Sequence, residues 1–366
     1  MTQAKRNGNI EILRFVFSIL IVLHHFEQGV FQGRLFTACY LGVEFFFIIT
    51  GVFLGKKLKA EKEKNRAEPF GAAAKAGAQT VWKRICGIYP YFFLATLIGF
   101  AARLAIGISK PRSEDVGGLF GDFAFVQLFG LKSITTTGTV WYLCALFFAL
   151  LLIYPFVRKF YDAYVYSFAM LFPPVLIGLI TKKAGSLSMI TENLFGVFNV
   201  GILRAVAMIS VGLVVNELAD RLKALPVNRV NRFVFTAMEP LLYLCLFALL
   251  IFFPRSKFDY LLLILLTMVL IVTLSEKSCL YGRFDNRFSL FLGKASMILF
   301  MCHFFWVNYI SRYTKHLPTA LQEGTLTDVV LGFLLTFATG VAVYFGGVFL
   351  QFVFRKIKTA LFALPK

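Results

Sequence analysis

The stretch Ile12–Phe26, ILRFVFSILIVLHHF, decides how this chain is read. It is almost wholly apolar, yet it carries Arg14 near one end and the pair His24 and His25 at the other. Arg14 and His25 are 11 residues apart. At 3.6 residues per turn this is close to three whole turns, so on a helix the two side chains share a face, about 16 Å apart along the axis. His25 falls about 20° from Arg14 around the helix and His24 about 80° the other way. His25 is thus the better partner for a common cavity, and His24 is expected against a neighbouring helix. A cation inside a spanning helix costs about 2.5–3.5 kcal/mol even on insertion scales. The reading is that guanidinium and imidazole open into one internal chamber and are used there.

The rest of the chain is of the same kind. Of 366 residues, 58% are hydrophobic and 16% charged, and mean hydropathy is +0.75. Apolar runs long enough to cross a bilayer recur. They predict an all-α, polytopic membrane protein with ten transmembrane helices, over 12–30, 36–54, 85–108, 140–157, 164–180, 197–215, 235–253, 260–274, 290–309 and 328–354. A barrel would alternate apolar and polar residues, and these runs do not. The segment 119–131, with Asp122, is too short to cross and reads as interfacial or re-entrant. The chain reads as one integral domain over 1–366, with a basic cytosolic loop at 56–84 and no appended soluble domain. The longest external loop, 311–327, holds His316 and Glu323. No internal repeat stands out.

The formal net charge of +19 invites a nucleic-acid role, but its distribution argues against one. With ten spans and a cytosolic N-terminus, 24 of the 38 Lys and Arg fall on the cytosolic side and 10 on the other. Arg14, Arg103, Arg204 and Lys294 lie in spans. This is the positive-inside bias, and it places both termini in the cytosol and the chain in the cytoplasmic membrane. Lys5 and Arg6 precede the first apolar run as in a signal peptide. No small-residue cleavage site follows, so it reads as an uncleaved span. The six cysteines form no Cys-x-x-Cys pair, and neither a disulfide nor a metal site is expected.

Polar residues inside the spans are the candidate chemistry. Three of the four histidines (His24, His25, His303) are in spans. Glu44 opens the second span, close to where the first ends, and is expected to reach His24 or His25 and fix an imidazole tautomer. Lys83 and Arg84 open the third span. Arg204 lies deep in the sixth, with a fork suited to phosphate or carboxylate. Trp141 and Tyr142 begin the fourth and match an interfacial aromatic belt.

In this order the pieces resemble the acyltransferase 3 family of integral membrane acyltransferases. Arg14 and His25 match its Arg-x10-His signature. Glu44–Gly51 resembles its acidic-x-Phe-Phe-x-x-x-Ser-Gly pattern, with Thr50 for Ser. Arg84–Tyr91 resembles its basic stretch before Pro, with Gly87 where a second Arg is common. Trp141–Phe147 resembles Trp-Phe-Leu-x-x-Leu-Phe. Leu292–His303 resembles Leu-Gly-Lys-x-Ser-x-x-x-Tyr-Leu-x-His, with Phe300 and Met301 for Tyr-Leu.

The resemblance implies transfer of an acyl group, usually acetyl, from acyl-CoA to a hydroxyl of a surface polysaccharide or lipid-linked glycan. It assigns His25, with Glu44 and His24, to catalysis. Arg14, Arg84, Lys83 and Arg204 fall to the acyl-CoA donor. Trp141, Tyr142, His303 and Ser296 fall to the acceptor side or to structure. Acetyl-CoA is expected as a substrate, with no bound cofactor and no metal. A different class, a proton-coupled exporter of a surface sugar or amphipathic small molecule, would also suit buried Arg, His and Glu. Transporters often break helices at matching positions of two halves, and Pro90, Pro155, Pro173 and Pro174 do not match in this way. A third reading is an inactive structural partner in a polysaccharide-assembly complex.

Overall fold

The computed structural model describes residues 7–26, 30–105, 113–131, 133–134, 136–194, 196–254, 256, 258–314 and 326–362. Lys5, Arg6, His316 and Glu323 lie outside these residues. The helices are α1 (Gly8–His24), α2 (Gly42–Ala60), α3 (Lys62–Arg66), α4 (Phe70–Ala105), α5 (Ser113–Phe123), α6 (Val140–Lys159), α7 (Tyr161–Ala163), α8 (Ala169–Ala184), α9 (Val200–Ala224), α10 (Arg229–Phe252), α11 (Asp259–Leu274), α12 (Arg287–Thr314) and α13 (Leu326–Phe362). A π segment, Tyr164–Phe168, joins α7 to α8 in one rod, Tyr161–Ala184. Two short antiparallel strands, β1 (Asn193–Leu194) and β2 (Phe198–Asn199), precede α9.

Among the described residues, eight helices are long and apolar enough to cross a membrane. The shorter α1 and α11, 17 and 16 residues long, fill the other two expected segments. The protein is a multi-pass membrane protein. Among the described residues, 119–131 holds no helix long and apolar enough to cross. The 11-residue α5 ends there, and buried Asp122 accepts hydrogen bonds from the Thr136 N–H (3.0 Å) and the Ser133 hydroxyl.

Helix ends follow local chemistry. The Asn7 side chain caps α1, accepting from the N–H groups of Asn9 (3.0 Å) and Ile10 (3.3 Å). Asn199 and Asn228 cap α9 and α10 in the same way. The region 56–84, read above as a loop, is instead mostly helical. Its alanine-rich run 71–78 favours helix, and it docks on the end of α6. Gly77 lies against Tyr154, Phe70 meets Phe156 at 5.2 Å, and Arg158 forks onto both Glu68 carboxylate oxygens at 2.9 and 3.0 Å. That fork holds the Glu68 carboxyl below its ordinary range.

Two parallel helix pairs organise the bundle. Helices α2, α6 and α9 are its buried centre, and α8, α10 and α13 present apolar side chains outward. Between α2 and α9 the closest approach is Gly51 against Gly212. A Cβ on Gly51 would strike the Ile209 carbonyl, and one on Gly212 the Ile48 carbonyl. In a bilayer, where helices gain little by hiding apolar surface from lipid, such close packing is a main source of association. Helices α1 and α12 are joined likewise. Gly293 leaves room for the Glu11 carboxylate, the Gly8 N–H donates to Asp285 (2.8 Å), and the Ser18 hydroxyl donates to the Ser296 carbonyl (3.1 Å).

Gly51→Ala puts a methyl group into backbone. It is expected to lower the melting temperature in detergent, by overpacking worth about 1–3 kcal/mol. Gly178→Ala, with open space around it, is expected to leave the melting temperature unchanged or slightly raised. Equal melting of the two variants would show that the α2–α9 contact does not hold the bundle.

Candidate active site

Helix α1 stops at His24, and His25 is its C-cap, the His25 N–H reaching the carbonyls of Ile21 and Val22. The end of α1 opens a chamber of about 540 Å³. His24, His25 and His303 all line it, with Tyr40, Trp141 and Arg204. The ring of His25 is 5.2 Å from that of His303 and 5.5 Å from that of His24, between centroids.

The three imidazoles differ. His24 Nδ1 lies 3.0 Å from the Phe36 carbonyl. His303 Nδ1 lies 3.1 and 2.9 Å from the carbonyls of Leu299 and Phe300. A carbonyl only accepts, so both Nδ1 atoms carry the proton and leave Nε2 as the lone-pair nitrogen. His303 Nε2 is buried without a partner. His25 has accessible surface toward the chamber and no hydrogen bond from its ring among the described residues. It is the imidazole left free to meet a substrate.

Glu44 does not orient an imidazole, contrary to expectation. It is paired with Arg204, whose Nε and Nη2 both donate to Glu44 Oε1, the first at 2.9 Å. Arg204 Nη1 donates to the Met189 carbonyl at 2.6 Å, and its guanidinium lies 5.7 Å from the Trp141 ring. The side chains of Glu44 and Arg204 are 1% and 4% exposed. Adjacency of the ends of α1 and α2 is real. However, parallel packing of α2 on α9 brings a full positive charge to Glu44, and a charge outcompetes a neutral ring. Arg204 is therefore a wall of the chamber held by Glu44, not a fork open to donor phosphate.

Arg14 does not share the chamber with His25. It lines a separate cavity of about 340 Å³ at the opposite end of α1, with Glu11, Lys56 and Lys223, and its Nη1 meets Glu11 at 3.2 Å. Aromatic side chains stand between the two cavities. Phe300 lines the chamber and packs on Phe46 (5.8 Å) and Tyr142 (5.3 Å), while Tyr142 feels the charges of Arg14 and Arg84. Spacing along a helix does not report what fills the distance.

Arg84 is half-buried near Tyr142 and Tyr154, with no hydrogen bond or ion pair among the described residues. Lys83 is exposed beside it. Ser296 is buried in the α1–α12 contact, its hydroxyl donating to the Gly293 carbonyl at 2.8 Å.

Residues 7–345, nearly the whole chain, match the acyltransferase 3 family, described as an acyltransferase domain. The chain belongs to that family. No curated protein and no solved structure matches it. Each quoted motif of this acyltransferase has a place in the fold. Arg14 and His25 lie at the two cavities, Glu44 in the ion pair and Gly51 at the α2–α9 contact. Arg84 lies beside Tyr142, Trp141 beneath Arg204, Ser296 in the α1–α12 joint, and His303 beside His25.

Sequence reasoning missed Tyr40 and Asp259. The Tyr40 hydroxyl donates to Asp259, which also accepts from the Leu187 N–H (2.7 Å), and the Tyr40 ring lies 5.6 Å from that of His24. Asp259 heads an apolar run and reads as an ordinary acidic residue in a first helical turn. Nothing in sequence shows that it is fully buried.

Glu44→Ala leaves Arg204 buried and uncompensated. It is expected to cost about 3–5 kcal/mol of stability. Replacing both partners, Glu44→Leu with Arg204→Met, is expected to restore most of the loss in a detergent melting experiment. Failure of the double variant to recover would mean that the pair does not act as a unit.

Proposed function

We propose that this chain transfers an acyl group, acetyl in the simplest case, from acyl-CoA to a hydroxyl of a surface polysaccharide or lipid-linked glycan at the cytoplasmic membrane. The observation that carries the reading is His25, an imidazole with no ring hydrogen bond among the described residues, facing an internal chamber beside two histidines whose Nδ1 atoms meet carbonyls, in a chain of this family.

In this reading His25 accepts the proton of the acceptor hydroxyl as its oxygen attacks the thioester carbonyl. The carbon–sulfur bond then breaks, and the CoA sulfur leaves with the proton held by His25. Arg204, fixed by Glu44, presents positive charge at the chamber wall where negative charge develops on the carbonyl oxygen.

The charged end of acyl-CoA belongs at the opposite cavity, with Arg14 and Lys56, and along Arg84 and Lys83. The long pantetheine arm suits the separation of about 16 Å between Arg14 and His25, and the thioester passes beside Phe46 and Tyr142. Both termini and the basic end of the bundle are then cytosolic.

Labelled acetyl-CoA and purified protein in membranes that contain the acceptor test this. Wild type is expected to move label to a product, and His25→Ala to lose at least a hundredfold in rate with its melting temperature kept, in line with removal of a general base. Full transfer by His25→Ala refutes the assignment, and a wild-type protein that leaves the thioester intact favours the exporter. Arg84→Ala is expected to raise KM for acetyl-CoA about tenfold with kcat little changed, as loss of a charge-assisted phosphate contact does.

A further inference from the structure

A groove of about 1070 Å³, larger than the histidine chamber, lies on the flank of the bundle, between α6, the π segment with its neighbours, and α9. Its walls are mostly aromatic and aliphatic, among them Phe156, Phe160, Phe168 and Leu203, and several of these are exposed. In a bilayer any such groove fills with hydrocarbon, so apolar walls alone name no ligand. What singles this groove out is where it leads.

Gln127 and Thr191 line both the groove and the chamber, so the two spaces adjoin at these residues. A second apolar groove, of about 840 Å³ between α8, α9 and α11, shares no lining residue with the chamber. At the junction, Gln127 Oε1 is buried without a hydrogen-bond partner among the described residues. An unmet buried acceptor is costly, and the group that relieves it is a donor such as a hydroxyl. Farther in, His303 Nε2 is a second unmet acceptor.

The groove lining includes polar Thr191, Asn193 and Asn199 in the segment next to the chamber residue Glu192, and Phe156 and Phe160 at the end of α6. The π segment Tyr164–Phe168 forms part of its wall, with Tyr164, Ser167 and Phe168 lining it. Single π turns inside helices are frequent at functional sites.

We infer that the acceptor is a membrane lipid with a hydroxylated headgroup, its hydrocarbon tail lying in this groove and its headgroup passing Gln127 and Thr191 to reach His25. This rests on the acyl-transfer reading and narrows its acceptor to a lipid-anchored one that enters sideways from the bilayer. The hydroxyl becomes an ester as its proton passes to His25, and CoA leaves as the thiol.

Two measurements test it. First, purified protein in bilayers is irradiated with a hexadecyl β-glucoside whose tail carries a diazirine, or with a phosphocholine lipid bearing the same tail. The glucoside is expected to label segments 152–172 and 197–206 about tenfold more than the phosphocholine lipid. Leu203→Trp and Ser167→Trp are expected to remove that preference, and Gly178→Trp, on the second groove, to keep it. Equal labelling by the two lipids overturns the inference.

Second, membranes that contain the acceptor receive labelled acetyl-CoA. Label is expected in a product extracted by organic solvent, falling at least tenfold in the two groove variants while their melting temperatures stay at the wild-type value. Label confined to a water-soluble polymer overturns the lipid acceptor and leaves acyl transfer standing. No His25-dependent label in any product overturns acyl transfer and this inference together.

Discussion

One carboxylate and one guanidinium, both almost fully enclosed, set the geometry on which the histidine end of this bundle depends. Glu44 and Arg204 meet across the parallel pair α2 and α9. Each alone would be very costly in an apolar interior, so the two helices are obliged to keep the register that joins them. The same register places Gly51 opposite Gly212 about two turns away, where main chain touches main chain. Polar pairing and small-residue packing thus specify one alignment from two independent directions. Arg204 in turn holds the Met189 carbonyl, and so ties the segment before β1 to the chamber wall.

A second parallel pair, α1 and α12, brings the imidazoles together. His25 and His303 are 278 positions apart in sequence, and their meeting is set by the joint of Gly8, Glu11, Ser18, Gly293 and Ser296 near the other end of the same helices. Motif residues that look catalytic when listed together divide on this view. His25 and His303 face the chamber, whereas Ser296, Gly293 and Gly51 are there so that backbones approach.

What was legible in sequence followed from periodicity and burial cost. Apolar runs gave the helices. Chain adjacency brought Glu44 to the end of α1 but could not show that Arg204, 160 residues later, would take it. Composition made 56–84 look like a solvated loop, because its lysines and glutamates hide an alanine-rich helix whose docking depends on Glu68 and Arg158. Tyr40 and Asp259 were invisible for a similar reason. Their meaning lies in a contact across 219 positions, and neither carries a local signature.

The aromatic layer of Phe46, Tyr142 and Phe300 has a consequence beyond substrate placement. Cavities enter the bundle from its two ends, and were they to join, titratable groups at each would form a wire for protons. The rings act as an electrical insulator. Packed as they are, they keep the two cavities apart, which is the condition for a cell to hold its transmembrane ion gradient with such a protein in its membrane.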